Sequence, residues 1–563
     1  MQKTRGAILS LVFISAFFYS KAQSDNISFG TKQYQLLDRL DIKLKNDPVI
    51  SFTTIKPYNR QKITARIELL DSLKQAGALT TPLSRVDYYN MKRLLLDNSE
   101  WTSSNLDSFA LKRPVFKVFY KTPGSMYAIN TPDFILRVDP LLNLQYGSAN
   151  DGTGNIYVNT RGLRVRGSIG KKVGFYTVVS DNQEKSPLYV RNYTNKYYAV
   201  PGEGFFKDFK DGGVDYFGTA GGISFNLSKY FDFQLAYDKL FIGNGYRSLF
   251  LSNTSANYAF ARLNLRLSKF NYETVIAQTV GRFRTTAFVE RPTNFMLLHH
   301  LSMQVSKWLN VGLYENVIET GESGLKFSYI NPVILYSTID KQLGSTGKSS
   351  IGLDFKANPA KNIQFYGQLL INEFVTEEIL RYSRGSWKNK QAAQLGFKYI
   401  DAFKINNLDI QLEGNWIRPY TYMDRDSITN FMHYNQPLAH PMGANLKEFL
   451  AIVKAQPLPR LYLQGKLIYY LQGLDSAGLN FGGDLQKGYE YNRPSEYGLF
   501  VGSGVPAKCL MLGFNASYEL FENMFLDFNS TYRNYNIRNQ PKSNVFFYSI
   551  GLRINLQRRD FDF

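Results

Sequence analysis

The chain has almost no cysteine: Cys509 is the single one among 563 residues, which excludes an internal disulfide framework. It has no C-x-x-C and no Cys/His cluster, so a structural zinc site is not expected. Beyond residue 22 no apolar run reaches about 18 residues, which excludes transmembrane helices there. Glycine-rich phosphate loops and nucleophile elbows are missing as well. His433, His440, Asp424 and Asp426 share one stretch, the sole basis for a remote barrel-hydrolase alternative. They lack a tight His-x-x-x-His spacing, and Pro437, Pro441 and Gly443 read as a rigidly bent loop, so no metal, cofactor or catalytic residue is expected. His299 and His300 are neighbours on a strand and point to opposite faces.

What is present begins with an export signal. Lys3 and Arg5 precede an apolar stretch from Ala7 to Tyr19, and Ser20 and Ala22 supply small residues at the cleavage positions. Residues 1–22 are therefore expected to leave as a signal peptide. An exported chain without apolar helices enters a membrane only as a closed barrel. Aromatic content is high at 15%, with 39 Tyr and 42 Phe, yet mean hydropathy is −0.27. A barrel reconciles the two, because each strand gives half its residues to lipid. The formal charge of +20 falls to +17 without Lys3, Arg5 and Lys21. For an exported barrel the counter-charges are anionic glycans or lipid phosphates rather than nucleic acid.

Residues 23–112 read as a small helical module. Leu36, Leu37, Leu40 and Leu44 recur at helical spacing in the first helix. Asn59 caps a second helix with Ile63, Ile67, Leu70 and Leu73 on one face, stopped by Gly77. Ser84 and Asp87 form a capping box for a third, with Tyr88, Met91 and Leu95 inward. Helices this short need a surface to dock on.

Residues 113–563 change to period two, giving an all-β transmembrane barrel of about 18 antiparallel strands. Phe231, Phe233, Leu235 and Tyr237 alternate with Asp232, Gln234 and Asp238; Phe546 to Leu556 alternates the same way toward a terminal Phe563. Every second connection is tight, as at 228–230, 268–270, 306–308 and 521–523. The others are long, at about 184–212, 240–256, 373–390, 419–445 and 474–506. Short turns belong to the periplasmic rim, so both termini are expected on the periplasmic side of the outer membrane. Tyr230, Phe270, Trp308, Phe403 and Phe521 beside the tight turns fit an aromatic girdle. Lumen-facing residues carry both signs, including Arg262, Lys466, Arg533 and Arg553 against Asp232, Asp409, Glu413 and Asp527. They suit either a water channel or a lumen plugged by ion-paired loops.

Four segments carry a family resemblance: Tyr34-Gln-Leu-Leu-Asp-Arg-Leu-Asp-Ile-Lys43 with Ile55-Lys-Pro-Tyr58; Phe241-Ile-Gly-Asn-Gly-Tyr-Arg-Ser-Leu249; Asn331-Pro-Val333 followed by Ile351-Gly-Leu-Asp354; and Asn435-Gln-Pro-Leu-Ala-His-Pro-Met-Gly-Ala-Asn445. In this order the chain resembles the Wzi-like capsule-assembly family of outer-membrane proteins, nearest the Bacteroidetes branch that includes the gliding-motility protein RemB. The resemblance implies an eighteen-stranded barrel with a periplasmic helical module. It implies a lectin-like role toward surface polysaccharide, and in the gliding branch a tie to adhesion, motility and type IX secretion. Longer outer loops separate this chain from the enterobacterial members.

The expected ligand surface is the loop 184–212. Tyr189, Tyr193, Tyr197, Tyr198, Phe205 and Phe206 are interleaved there with Arg191 and Lys196. Ring faces stack on sugars and cations neutralise uronates or phosphates, so an anionic polysaccharide is the expected partner beside membrane lipid. Arg247 after Gly243 and Gly245 joins this set, or else pairs with a lumen carboxylate. The expectation is a non-enzymatic barrel that binds or organises surface material, with secretion or gliding components as further partners. A porin-like substrate channel is the alternative.

Overall fold

The computed structural model describes residues 24–103, 119–121 and 124–563, apart from 171, 227, 229, 284–289, 327, 329–347, 374, 376 and 379–380. The signal segment and Asn331–Val333 lie outside the described residues. Among the described residues three helices come first: α1 (Lys32–Leu44), α2 (Arg60–Gln75) and α3 (Arg85–Asp97). The expected caps form. The Asn59 side chain accepts the Lys62 N–H at 2.9 Å. Ser84 and Asp87 make both bonds of the capping box. Leu36, Leu37, Leu40, Ile63, Ile67, Leu70, Met91 and Leu95 close into one small core.

Among the described residues twenty strands join a closed antiparallel sheet. Two of these, Tyr127–Asn130 and Lys207–Phe209, are short and pair on one side only. Eighteen go round the barrel, from Phe134–Ala149 to Ser543–Ile554, and the last pairs with the first from Ile554 opposite Leu142 to Phe547 opposite Ala149. Closure pairs each of these eighteen strands on both sides. On the last strand Phe546, Tyr548 and Ile550 are 45%, 46% and 54% exposed, while Arg553 turns inward to Asp527 at 2.6 Å. The five girdle aromatics are all exposed beside short turns.

The lumen is filled from both ends. At the short-turn end the module seats on the rim through ion pairs. Arg39 holds Asp87 (2.8 Å), Asp401 (2.7 Å) and Asp409, and Lys43 holds Asp87 (2.9 Å) and Asp401 (2.7 Å). Lys356 on the wall donates to Asp41 Oδ2 at 2.8 Å and to the Ser51 carbonyl at 2.7 Å. Burial alone would raise the Asp87 carboxyl; Arg39 and Lys43 hold it well below the usual carboxylate range. From the other end the segment 239–257 descends into the barrel. Its Phe241–Ile242 pairs antiparallel with Ile55–Lys56 of the module.

The last strand was expected to run to Leu556, leaving Phe563 at the short-turn rim. It ends at Ile554. Asn555, at φ 54°, turns the chain with its N–H bonded to the Asn523 carbonyl at 3.0 Å. The final residues then rise through the lumen, and Phe563 lies against the helix α4 (Leu188–Tyr197) in a long loop. The reason is charge: Lys466 takes Asp560 and Asp562, and Arg559 reaches Glu184 at 2.6 Å.

Candidate functional site

The in-turned segment 239–257 brings Leu249, Phe250 and Leu251 to full burial. Gly245 permits a close approach to the wall, since a Cβ there would collide with the Glu413 carboxylate. That carboxylate accepts the N–H groups of Tyr246 (2.7 Å) and Arg247 (3.0 Å). Arg247 is buried. It pairs with Glu448 at 2.9 Å and donates to the Asp562 carbonyl at 2.7 Å. It is thus placed as the partner of a lumen carboxylate.

The aromatic residues expected to meet ligand largely form a seat for the chain's own tail. The Tyr193 ring lies 4.2 Å from that of Phe563 and 4.3 Å from that of Tyr197, which is buried. Tyr189 donates its hydroxyl to the Phe561 carbonyl at 3.0 Å, and its ring lies under the Arg533 guanidinium at 4.7 Å. Arg191 donates to Thr153 Oγ1 at 2.8 Å. Phe206 packs with Val200 and Tyr216, and Phe205 is half-buried near Arg291. The open end of α4 differs. Lys196 is exposed over the Tyr197 ring, Tyr198 is half-buried, and Lys196 meets a second loop through Asp484 (3.7 Å) and Gln486.

That second loop, with residues 381–390, builds an aromatic and cationic surface at the long-loop end. Trp387 stacks on Tyr489 at 4.9 Å and donates Nε1–H to Glu496 at 2.6 Å. Arg493 lies 4.0 Å over the Trp387 ring, and Lys390 lies 3.7 Å over Tyr489. Arg384 sits 5.5 Å over Tyr497. Tyr491, Tyr497 and Phe500 are exposed around them, with Arg384 and Lys388. Rings fixed by stacking and by cations present flat faces at low entropic cost. The sequence carried a signal for this surface, since Lys487, Tyr489, Tyr491, Arg493, Tyr497 and Phe500 interleave as the 184–212 residues do. The contribution of Trp387 and Arg384 from a distant loop had none.

The histidines are occupied structurally. His433 is buried; its Nδ1 accepts the Val280 N–H at 2.9 Å and its Nε2 lies 2.8 Å from the Asn257 carbonyl. Burial pushes its imidazole down to about 4, so the ring is neutral. His440 is instead 3.0 Å from Glu448. Asp424 accepts from Thr429 and Asp426 caps residues 427–429, so the four side chains do not converge. Among the described residues no group of three or more His, Cys, Asp or Glu is placed to hold a metal ion.

No protein-family model matches the chain, and no curated protein matches it. Solved structures do. Wzi of Escherichia coli, an outer-membrane protein involved in group 1 capsule assembly and a carbohydrate-binding β-barrel, is similar over 96% of this chain and 100% of its own. The TM-score is 0.53 and the identity 12%. The outer-membrane protein OprD of Pseudomonas aeruginosa is similar over 75% of this chain and 94% of its own, with TM-score 0.40 and 12% identity. At such identity the likeness to Wzi speaks for architecture: this chain has the fold of an eighteen-stranded outer-membrane β-barrel.

Proposed function

We propose that the protein is a non-enzymatic barrel of the outer membrane that holds anionic polysaccharide on its long-loop surface. The short turns and the module face the periplasm, as short turns do in bacterial barrels. The observation that carries this reading is the exposed set Tyr491, Tyr497, Phe500, Arg384 and Lys388, seated on the buried Trp387 and the half-buried Tyr489 and Arg493. Lys196 and Tyr198 extend it, because Lys196 borders the same loop. Rings supply stacking area for pyranose faces, and Arg384 and Lys388 supply charge for uronates or phosphates, with Arg493 held between Trp387 and Glu496 beneath them. The carbohydrate binding of the Wzi barrel supports the ligand class. A filled lumen favours this reading over a substrate channel.

Purified protein in detergent is expected to retain polygalacturonate and to ignore neutral dextran. The double variant Tyr491→Ala, Arg493→Ala loses most of that retention while the barrel stays folded. Equal retention of the two polymers, or full retention by the variant, refutes the proposal.

A further inference from the structure

Beneath the module the barrel encloses a chamber of about 310 Å³, at the lower end of ligand-site volumes. It is bounded by residues 27–35 of the module, by the rising tail from Asn555 to Asp560, and by the barrel wall. Seven basic side chains line it against two carboxylates. Most of the cations are answered by carboxylates: Arg164 by Asp139 (3.1 Å), Arg553 by Asp527 (2.6 Å) and Lys32 by Glu519 (2.6 Å). Lys454 is not. Among the described residues its side chain has no ion pair or hydrogen bond, and neither has the side chain of Gln464, opposite it in the ladder.

Three further observations point the same way. Helix α1 opens onto the chamber, its N-cap Thr31 makes no side-chain cap, and its first turn holds no acidic residue. Its partial positive charge therefore faces this space. Gln33 and Arg166 line the chamber, are 6% and 3% exposed, and leave Oε1 and Nε respectively without a partner. One unmet buried acceptor and one unmet buried donor on the lining suit hydroxyl groups as well as an anion. Tyr246, Tyr462 and Phe525 add ring surfaces.

We propose that this chamber binds a small hydroxylated anion, a sugar phosphate or sugar acid, with its charged group near Lys454, Gln464 and the open end of α1. The site is separate from the outer polysaccharide surface and does not depend on it. Calorimetric titration of the full chain in detergent tests it, with glucose 1-phosphate, glucuronate and glucose as probes. Saturable binding of at least one charged probe and none of glucose is expected. Lys454→Met should weaken that binding by about tenfold or more, as loss of a bond to a charged group does. Gln464→Leu should weaken it less, and both variants should keep polygalacturonate retention at the outer surface. Absence of binding by either charged probe, or undiminished affinity in both variants, overturns the proposal. Should Lys454→Met fail to fold, Gln464→Leu decides alone. Loss of polymer retention with intact small-anion binding would count against the outer surface only.

Discussion

Arg39 concentrates the docking of the module in one side chain. Its guanidinium satisfies Asp87 within the module and Asp401 and Asp409 on the barrel. Removing one partner of a buried network strands the others, at a cost of roughly 3–5 kcal/mol. Arg39→Met is therefore expected to speed hydrogen exchange across α1 and α3 while the wall strands stay protected; unchanged exchange would show that apolar packing alone seats the module. Lys56 offers a pH test. Burial pushes its ammonium down to about 7, against a smaller opposite pull from Asp38. Unfolded lysine titrates near 10.4, so the charged form is disfavoured in the seated module. The cost is absent above that value, grows as pH falls, and is complete below about 7. Seating is expected to strengthen from pH 7 to pH 10 in the wild type, and the gain should vanish in Lys56→Met. At this scale the sequence showed which residues face the lumen, because alternation fixes a side chain's face. It could not name their partners: Asp409 finds Arg39, and Lys466 finds Asp562, across separations that no local pattern encodes.

At the scale of elements, caps and turns were legible because their chemistry is local. Asn59, Ser84 and Asp87 mark helix starts, and Ser268-Lys269 and Ser306-Lys307 mark tight turns where the strands do reverse. The tail and α4 were not legible as a pair. Tyr189 and Tyr193 read as ligand-facing because an aromatic loop looks alike whether it meets a sugar or Phe563. Deleting residues 560–563 removes the floor of α4 and the counter-charges of Lys466. Faster proteolysis within 184–212 is expected from that deletion, with the heat-modifiable electrophoretic shift of the barrel retained. Unchanged cleavage would mean that the tail merely rests in the lumen. The gliding and secretion expectations rest on the resemblance alone, and no element of the fold carries them.

On the scale of the whole molecule, the strand count and the end asymmetry followed from period two and from loop lengths, both of which a bilayer imposes. Whether the cylinder is open did not follow, since lumen charges serve water and ion pairs equally well. In the structure the module, the descending segment 239–257 and the tail meet inside the wall: Ile55 pairs with Ile242, and Arg247 holds Asp562. A lumen filled in this way is expected to pass little current. The most direct test is ionic current through purified full-length protein in a planar bilayer. Near silence is predicted, with steady conductance appearing only when residues 24–103 and the tail are both removed. A steady ohmic current through the intact chain would contradict the account.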